Sequence, residues 1–443
     1  MTPDDIAVIP LAEGFAPATR EIWRALAEKS LKGATVESLA RTIEGVTIAP
    51  LYAADEAGQG GASPPRATHD RERPRDVRIP ASTNAGVLEA LAGGAASVLL
   101  NVGAANGDDL AGLLDGVMID VAPVALDGAI DGVAAAEALS QVAKASPAAP
   151  LAFHLDPLGS DGGEADTAKR YASSAARLAQ TYPRATLYLA NGARIHDAGG
   201  EPAWELAFAI SAAVTYARAM TDTGLTAADA FARIVLALAV DNKPLIGVAK
   251  LRAARLMWAR VTGTSGAPTP AIIEARSSMR MLTIADPWSN LVRITQAGFA
   301  GAVGGADAIV LYPHDRASGG GDPQGPRMAR NVGLVLMEEA HLGAVDDPAG
   351  GAWAFEALSG DLARAAWARF NEIERAGGAA AALCSGMIAE AVHASVDALA
   401  SSIAAKTTRI VGVTDFRADA PPGVIPTPQP GPLAPIRLEA LVR

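Results

Sequence analysis

The sequence predicts an α/β chain built on a (β/α)8 TIM barrel, with an N-terminal helical and extended arm and a C-terminal helical extension ending in a Pro-rich tail. Short apolar runs alternate with amphipathic segments of helical length, the pattern of parallel strands joined by crossover helices. Eight such runs occur: VRIP from Val77, ASVLLNV from Ala96, VMIDVAPVAL from Val117, LAFHLD from Leu151, ATLYLAN from Ala185, RIVLALAV from Arg233, PAIIEA from Pro270 and AIVLY from Ala308. Seven intervening segments and one after Tyr312 can hold helices. Eight strand and helix units are the arithmetic of a closed barrel. A doubly wound sheet is the runner-up.

In chain order, residues 1–76 read as an arm and linker, with a helix around Thr19 to Leu31, a second around Thr35 to Thr42, and a charged, Pro- and Gly-rich passage from Asp55 to Arg75. The barrel is assigned to residues 77–342. Within it, EPAWELAFAISAAVTYARAM from Glu201 spaces apolar residues for one buried helix face. Leu245 to Val261 reads as another helix, with Pro244 suited to its first turn. Its basic residues Lys250, Arg252, Arg255 and Arg260 fit solvation or ion pairing better than catalysis. Residues 343–415 form the C-terminal helical extension, with helices near Leu358 to Ala376 and Ala379 to Ala405 and a strand-like IVGV from Ile410. Residues 416–443 form the tail, whose PPGVIPTPQPGPLAP suggests an extended segment without its own core.

Composition narrows the function classes. The net charge of −11 disfavours nonspecific binding to nucleic acid. No apolar run reaches the roughly 18 to 20 residues of a membrane-spanning helix. The start, MTPDDIAVIPLAEGF, does not resemble a secretory signal, so the expected compartment is the cytoplasm. Cys384, the single cysteine, permits no internal disulfide or thiolate cluster and is expected to pack in the core.

Chemistry on a barrel belongs at the C-terminal strand ends, where Asn101, Asp127, Asp156, Asn191, Arg194, Asp241, Lys243, Glu274 and His314 are candidates by position. The six histidines, His69, His154, His196, His314, His341 and His393, show no metal-binding spacing, so no metal site is expected. His154 and Asp156 share a strand face and make the best pair, with structural hydrogen bonding as the favoured role. Lys243 is placed for a Schiff base, but DNKP better suits a strand end or a neighbour contact. The glycine clusters near Gly58, Gly199 and Ser318 match neither GxGxxG nor a P-loop, and the Ser318 cluster reads as a loop rather than an anion site.

Several ordered motifs carry a family resemblance. VAKLRAARLMWAR from Val248 and RSSMRMLTIADPWSNLVR up to Arg293 resemble the methylmalonyl-CoA mutase family. So do EIWRALAEKSLKG, TIEGVTIAPLY, HDAGGEPAWELAFAI, RMARNVGLVLMEE, DDPAGGAWAFEAL and IVGVTDF, which together span nearly the whole chain. The resemblance implies a barrel that, in catalytic members, threads acyl-coenzyme A along its axis under adenosylcobalamin, which supplies a radical rearrangement. Catalytic chains commonly carry a cobalamin domain marked by DxHxxG. None of the six histidines here has Asp two positions earlier.

Residue by residue, the resemblance implies lost chemistry. Where catalytic members read GYHxQEAG, this chain reads GARIHDAG, placing Ala193 and Arg194 at the Tyr and His positions and His196 at the Gln. Alanine supplies no phenol, and arginine stays protonated where imidazole exchanges a proton. Where they read HxQTSGWSLTAQD, this chain reads EARSSMRMLTIAD, placing Glu274 and Arg276 at the His and Gln positions. Asp70 falls at the arm's substrate-contacting Tyr, and the QND loop is not recognisable in HLDPLGSDG. RSSMRMLTIADPW is particularly similar to the small, beta-type subunit of heterodimeric members. The implied role is therefore a noncatalytic barrel, binding no cofactor directly, beside a large catalytic subunit that carries adenosylcobalamin. The alternative is a catalytic acyl-CoA mutase barrel served by a separate cobalamin-binding subunit. An Arg194–Glu274 ion pair across the mouth is expected to occupy the substrate's space.

Overall fold

The structure is a computed structural model that describes residues 18–53, 75–103, 109–128, 131–159, 165–417 and 431–442, with Gly14, and the backbone alone for 165–169. The chain divides into two compact units, residues 1–52 and 53–443. His69, Asp70 and the charged passage before Arg75 lie outside the described residues.

In the first unit, helix Arg20–Ser30 starts where extended Thr19 accepts a hydrogen bond from the Ile22 amide. No residue of this helix is buried, and Ile22 and Leu26 are exposed. The helix expected over Thr35 to Thr42 does not form. Val36–Leu39 makes one 3-10 turn, after which β1 (Arg41–Ile43) and β2 (Val46–Ile48) pair as an antiparallel hairpin. Glu44 and Gly45 both take positive φ, 49° and 76°, which matches the twist of the flanking strands. Three-residue strands are too short to announce themselves by periodicity.

The second unit contains a closed parallel barrel of β3 (Asp76–Ala81), β4 (Ser97–Asn101), β5 (Val124–Asp127), β6 (Leu151–Leu155), β7 (Thr186–Asn191), β8 (Ile234–Val240), β9 (Ile272–Ser277) and β10 (Ala308–Val310). The strands neighbour one another in chain order, and β10 closes on β3. All eight apolar runs supply strands. The run from Val117 gives only its second half, because Val121 and Ala122 turn back to the Met118 carbonyl before Pro123.

Alternation sorts the strand side chains. Phe153 meets Tyr182, and Tyr188 stacks on Tyr216 of helix Pro202–Asp222 with ring centres 4.7 Å apart, so these residues face the helical layer. Leu99, Ala125, Ala152, Val310 and Tyr312 form one cluster, and Leu189, Val235, Ala237 and Ile272 another. Their positions in register place both clusters on the opposite, axial face.

The outer helices include Pro202–Asp222, Pro244–Thr264 and Pro287–Val303, each with proline in its first turn where no amide partner is needed. Helix Pro202–Asp222 is buried on more than the one expected face, because Trp353–Arg375 lies across it and across Pro244–Thr264. Arg252 joins those layers. It is 2% exposed, donates to Glu356 Oε1 at 2.6 Å and to Ser359 Oγ at 3.3 Å, and pairs with Asp347.

The C-terminal region departs from expectation in three places. The helix expected from Ala379 to Ala405 breaks into Ala379–Cys384 and Met387–Ala404, because Gly386 adopts φ of 82°. Cys384 ends the first piece and is exposed rather than core. IVGV forms a turn with a single bridge, Val411 to Asp415, instead of a strand. Residues 418–430 lie outside the described residues, but 431–442 do have a core: Leu438 packs with Leu399, Ile403 and Ile410. This segment crosses three loops on the C-terminal side of the barrel. The Ile436 amide donates to the Asp197 carbonyl, the Leu438 amide to the Arg280 carbonyl, and Arg437 Nη1 to the Ala317 carbonyl.

Candidate functional site

The axial space of the barrel holds a ladder of charge. At its lower end, Arg78 donates to Asp76 Oδ2 (2.7 Å), Ser97 Oγ (2.9 Å) and Glu274 Oε2 (2.5 Å). Above it, Arg276 donates from Nε to Glu274 Oε1 (2.7 Å) and from Nη1 to Asp127 Oδ1 (2.9 Å). β5 and β9 stand four places apart in the ring of eight, so the Arg276–Asp127 contact runs across the axis. His154 Nε2 of β6 lies 4.0 Å from Glu274 Oε2. The Glu274 side chain is 0% exposed, whereas those of Asp76 and Asp127 are each 22% exposed at the two ends of the ladder.

This geometry fixes the charge states. Burial alone raises the Glu274 carboxyl, but Arg276 and Arg78 outweigh it and hold the group down to about 2. Burial lowers His154 to about 4, leaving a neutral imidazole whose Nδ1 donates to the Leu126 carbonyl at 2.9 Å. Burial pulls Arg276 down, yet Asp127 and Glu274 more than compensate, so it stays charged. Because the folded pKa of His154 lies below its ordinary 6.5, its contribution to stability is present above that pH and lost as pH falls through about 4. The stability advantage of the wild type over His154→Asn should therefore shrink between pH 6.5 and 4, by up to about 1.4 kcal/mol per pH unit. Urea denaturation at stepped pH measures it, and a pH-independent difference would refute the assignment.

The expected Arg194–Glu274 pair does not form. Ala193 and Arg194 open the short helix Ala193–Asp197 beyond the end of β7, and both sit above the strand rather than in it. Arg194 turns to the Leu158 carbonyl, and burial raises the Asp156 carboxyl, a rise that the Tyr216 hydroxyl and the nearby Arg194 only partly offset. Glu274 is paired in register with Ala308, which pairs with Asp76, so it sits inside the barrel and not at the strand end assigned from sequence. His154 and Asp156 also separate. His154 has φ of 48° where the β6–β7 register shifts, and Asp156 points instead to the Tyr216 hydroxyl, accepting at 2.5 Å.

The remaining candidates divide between the rim and the core. Asp241 Oδ2 lies 3.4 Å from Lys243 Nζ and 3.7 Å from both Arg280 Nη2 and His196 Nε2. His196 Nδ1 approaches Glu205 Oε2 at 3.5 Å, and Glu205 pairs with buried Lys250. Burial raises Glu205 to about 7 despite Lys250. Asn101 lies against Gly128, and the buried Asn191 Oδ1 has no hydrogen-bond partner. His314 stacks beneath Trp288. Gly319, Gly320 and Gly321 all take positive φ in the loop after β10. Among the described residues, no group of three His, Cys, Asp or Glu can hold a metal ion. Sequence reading missed Arg78, Ser97 and Asp76 in this network. The available signal was the spacing of Asp76 and Arg78, two charged residues at alternate positions bordering an apolar strand.

Closure of eight parallel strands under an outer helical layer defines the chain as a (β/α)8 barrel, with buried ion pairs spanning its axis. The methylmalonyl-CoA mutase family model matches residues 166–431. The chain is 38% identical over 450 positions to the methylmalonyl-CoA mutase small subunit of Streptomyces virginiae, covering 94% of this chain and 72% of that relative. It is 32% identical to the small subunit of Propionibacterium freudenreichii subsp. shermanii, covering 93% and 71%. It is 37% identical to a probable small subunit of Mycobacterium bovis, covering 81% and 60%. The chain belongs to the methylmalonyl-CoA mutase family.

Proposed function

We propose that this chain is the noncatalytic small subunit of a heterodimeric, adenosylcobalamin-dependent mutase that interconverts methylmalonyl-CoA and succinyl-CoA. It supports a larger catalytic subunit that carries the cobalamin. The observation that carries the proposal is the ladder Asp76–Arg78–Glu274–Arg276–Asp127, which occupies the axis an extended acyl-CoA would need. Moving these groups aside means separating buried opposite charges, an expense that substrate binding would have to meet.

The positions that carry catalysis in the resemblance support the same reading. Ala193 offers no hydroxyl, Arg194 is directed at the Leu158 carbonyl, and Glu274 and Arg276 are consumed by each other. The described histidines do not fit a cobalt ligand. His154 and His196 are buried among charged partners, His314 lies under Trp288, and His341 and His393 are exposed, the first in the loop after Val335–Glu339 and the second on helix Met387–Ala404. Adenosylcobalamin, bound by the partner, supplies the radical chemistry. This chain contributes a rigid second barrel, and association stabilises both partners by mass action. No described helix is long and apolar enough to cross a membrane, which fits the proposed cytoplasmic setting.

The test is an isomerisation assay with adenosylcobalamin on this chain alone, with a large catalytic subunit, and with a free cobalamin-domain protein. Activity is expected only with the large subunit. Turnover by this chain and the free cobalamin-domain protein would overturn the proposal.

A further inference from the structure

His154 meets Glu274 in the barrel axis in an arrangement that the two side chains do not satisfy between themselves. The imidazole Nδ1 lies 2.9 Å from the Leu126 carbonyl, which can only accept, so Nδ1 carries the ring hydrogen. Burial keeps the ring neutral, so Nε2 presents a lone pair. That atom stands 4.0 Å from Glu274 Oε2, and both side chains are buried. Two acceptors therefore face each other out of reach of bulk water, at a separation too long for a direct hydrogen bond.

Arg276 supplies the third side of this setting. It spends Nε on Glu274 Oε1 and Nη1 on Asp127 Oδ1. Its buried Nη2, like His154 Nε2, has no hydrogen-bond partner among the described residues. After burial and Glu274, Arg276 acts most strongly on the His154 ring, ahead of Arg78, which puts its guanidinium close to the imidazole. Glu274 Oε2 accepts from Arg78 and still has a lone pair to offer. Buried polar atoms left unmet are costly, and here two acceptors and one charged donor are gathered around one point of the axis.

We propose that one ordered water is bound among His154 Nε2, Glu274 Oε2 and Arg276 Nη2, donating to the first two and accepting from the third. A water about 2.8 Å from each of two acceptors spans about 4.5 Å between them at a tetrahedral angle, so the observed separation needs only slightly bent bonds. Three polar partners are what a buried water ordinarily has. The charges select water over an ion. A sodium ion would meet the guanidinium hydrogens of Arg276, with Arg78 on the same carboxylate. A chloride ion would meet the Glu274 carboxylate and the imidazole lone pair. The site ties β6 to the ladder through solvent, and it belongs to this chain whatever its partner or reaction.

A crystal structure of the wild-type chain near neutral pH, at a resolution that shows buried solvent, tests the site directly. Density for one water is expected within hydrogen-bond distance of all three atoms. Unoccupied space there, or an ion recognised by anomalous scattering or short coordination distances, would overturn the proposal. NMR of nitrogen-labelled histidines, with the His154 signal assigned by its loss in His154→Phe, is expected to show a neutral ring with its hydrogen on Nδ1 alone. A ring protonated on both nitrogens at neutral pH would mean that His154 faces Glu274 as a cation, and would overturn the proposal as well. In folded His154→Phe the water is expected to be lost, since the phenyl ring offers no acceptor. A water kept at the same point in that variant would show that Nε2 does not hold it, and where the variant does not fold, the wild-type density decides.

Discussion

Glu274→Ala should destabilise the chain by about 3–5 kcal/mol, because it removes the carboxylate that two buried guanidiniums share and leaves both under-compensated. Arg78 would keep Asp76 and Arg276 would keep Asp127, each partly open to water at its end of the barrel. The middle of the ladder would become a region of unopposed positive charge. The combined variant Arg78→Met, Glu274→Leu, Arg276→Met should cost less than Glu274→Ala alone, since apolar side chains of similar bulk remove the charges together. Urea denaturation of the three proteins measures this inversion. A triple variant that costs the sum of its parts would mean that the ladder is not one coupled unit.

Arg252→Met should be the next most damaging change, at about 3 kcal/mol, although it is far from the axis. Methionine keeps the aliphatic stem, so the loss isolates the contacts to Asp347, Glu356 and Ser359. Those contacts tie Trp353–Arg375 to Pro244–Thr264. Amide hydrogen exchange should therefore rise along residues 353–375 before it rises in the strands. Uniform acceleration across the barrel would show that the covering helix and the barrel open as one.

The barrel was legible because its strands are short apolar runs separated by helical lengths, a pattern that survives without knowledge of any contact. Pro244 likewise acts within one turn and was placed from local sequence. The ladder was legible only in part. Glu274 and Arg276 stood out as the wrong chemistry at the family's positions, but their partners could not be read. Arg78 is 196 residues from Glu274, and barrel closure alone brings them together. Arg194 looked like the natural partner because it ends the β7 segment; the helical turn at Ala193–Asp197 lifts it above the level of Glu274. The left-handed backbone of His154 has no side-chain pattern to reveal it, so its separation from Asp156 was hidden. Hairpin β1–β2 was missed because three-residue strands carry too little alternation, and the core under Leu438 because proline density in the tail masked a short apolar ending.

Closure of the axis is the central claim, and direct binding of substrate tests it without depending on turnover. Isothermal titration of the purified chain with methylmalonyl-CoA should give no saturable heat at concentrations that saturate the large subunit measured in parallel. One equivalent bound per chain, with an affinity like that of the large subunit and lost on its displacement by free coenzyme A, would contradict a closed barrel.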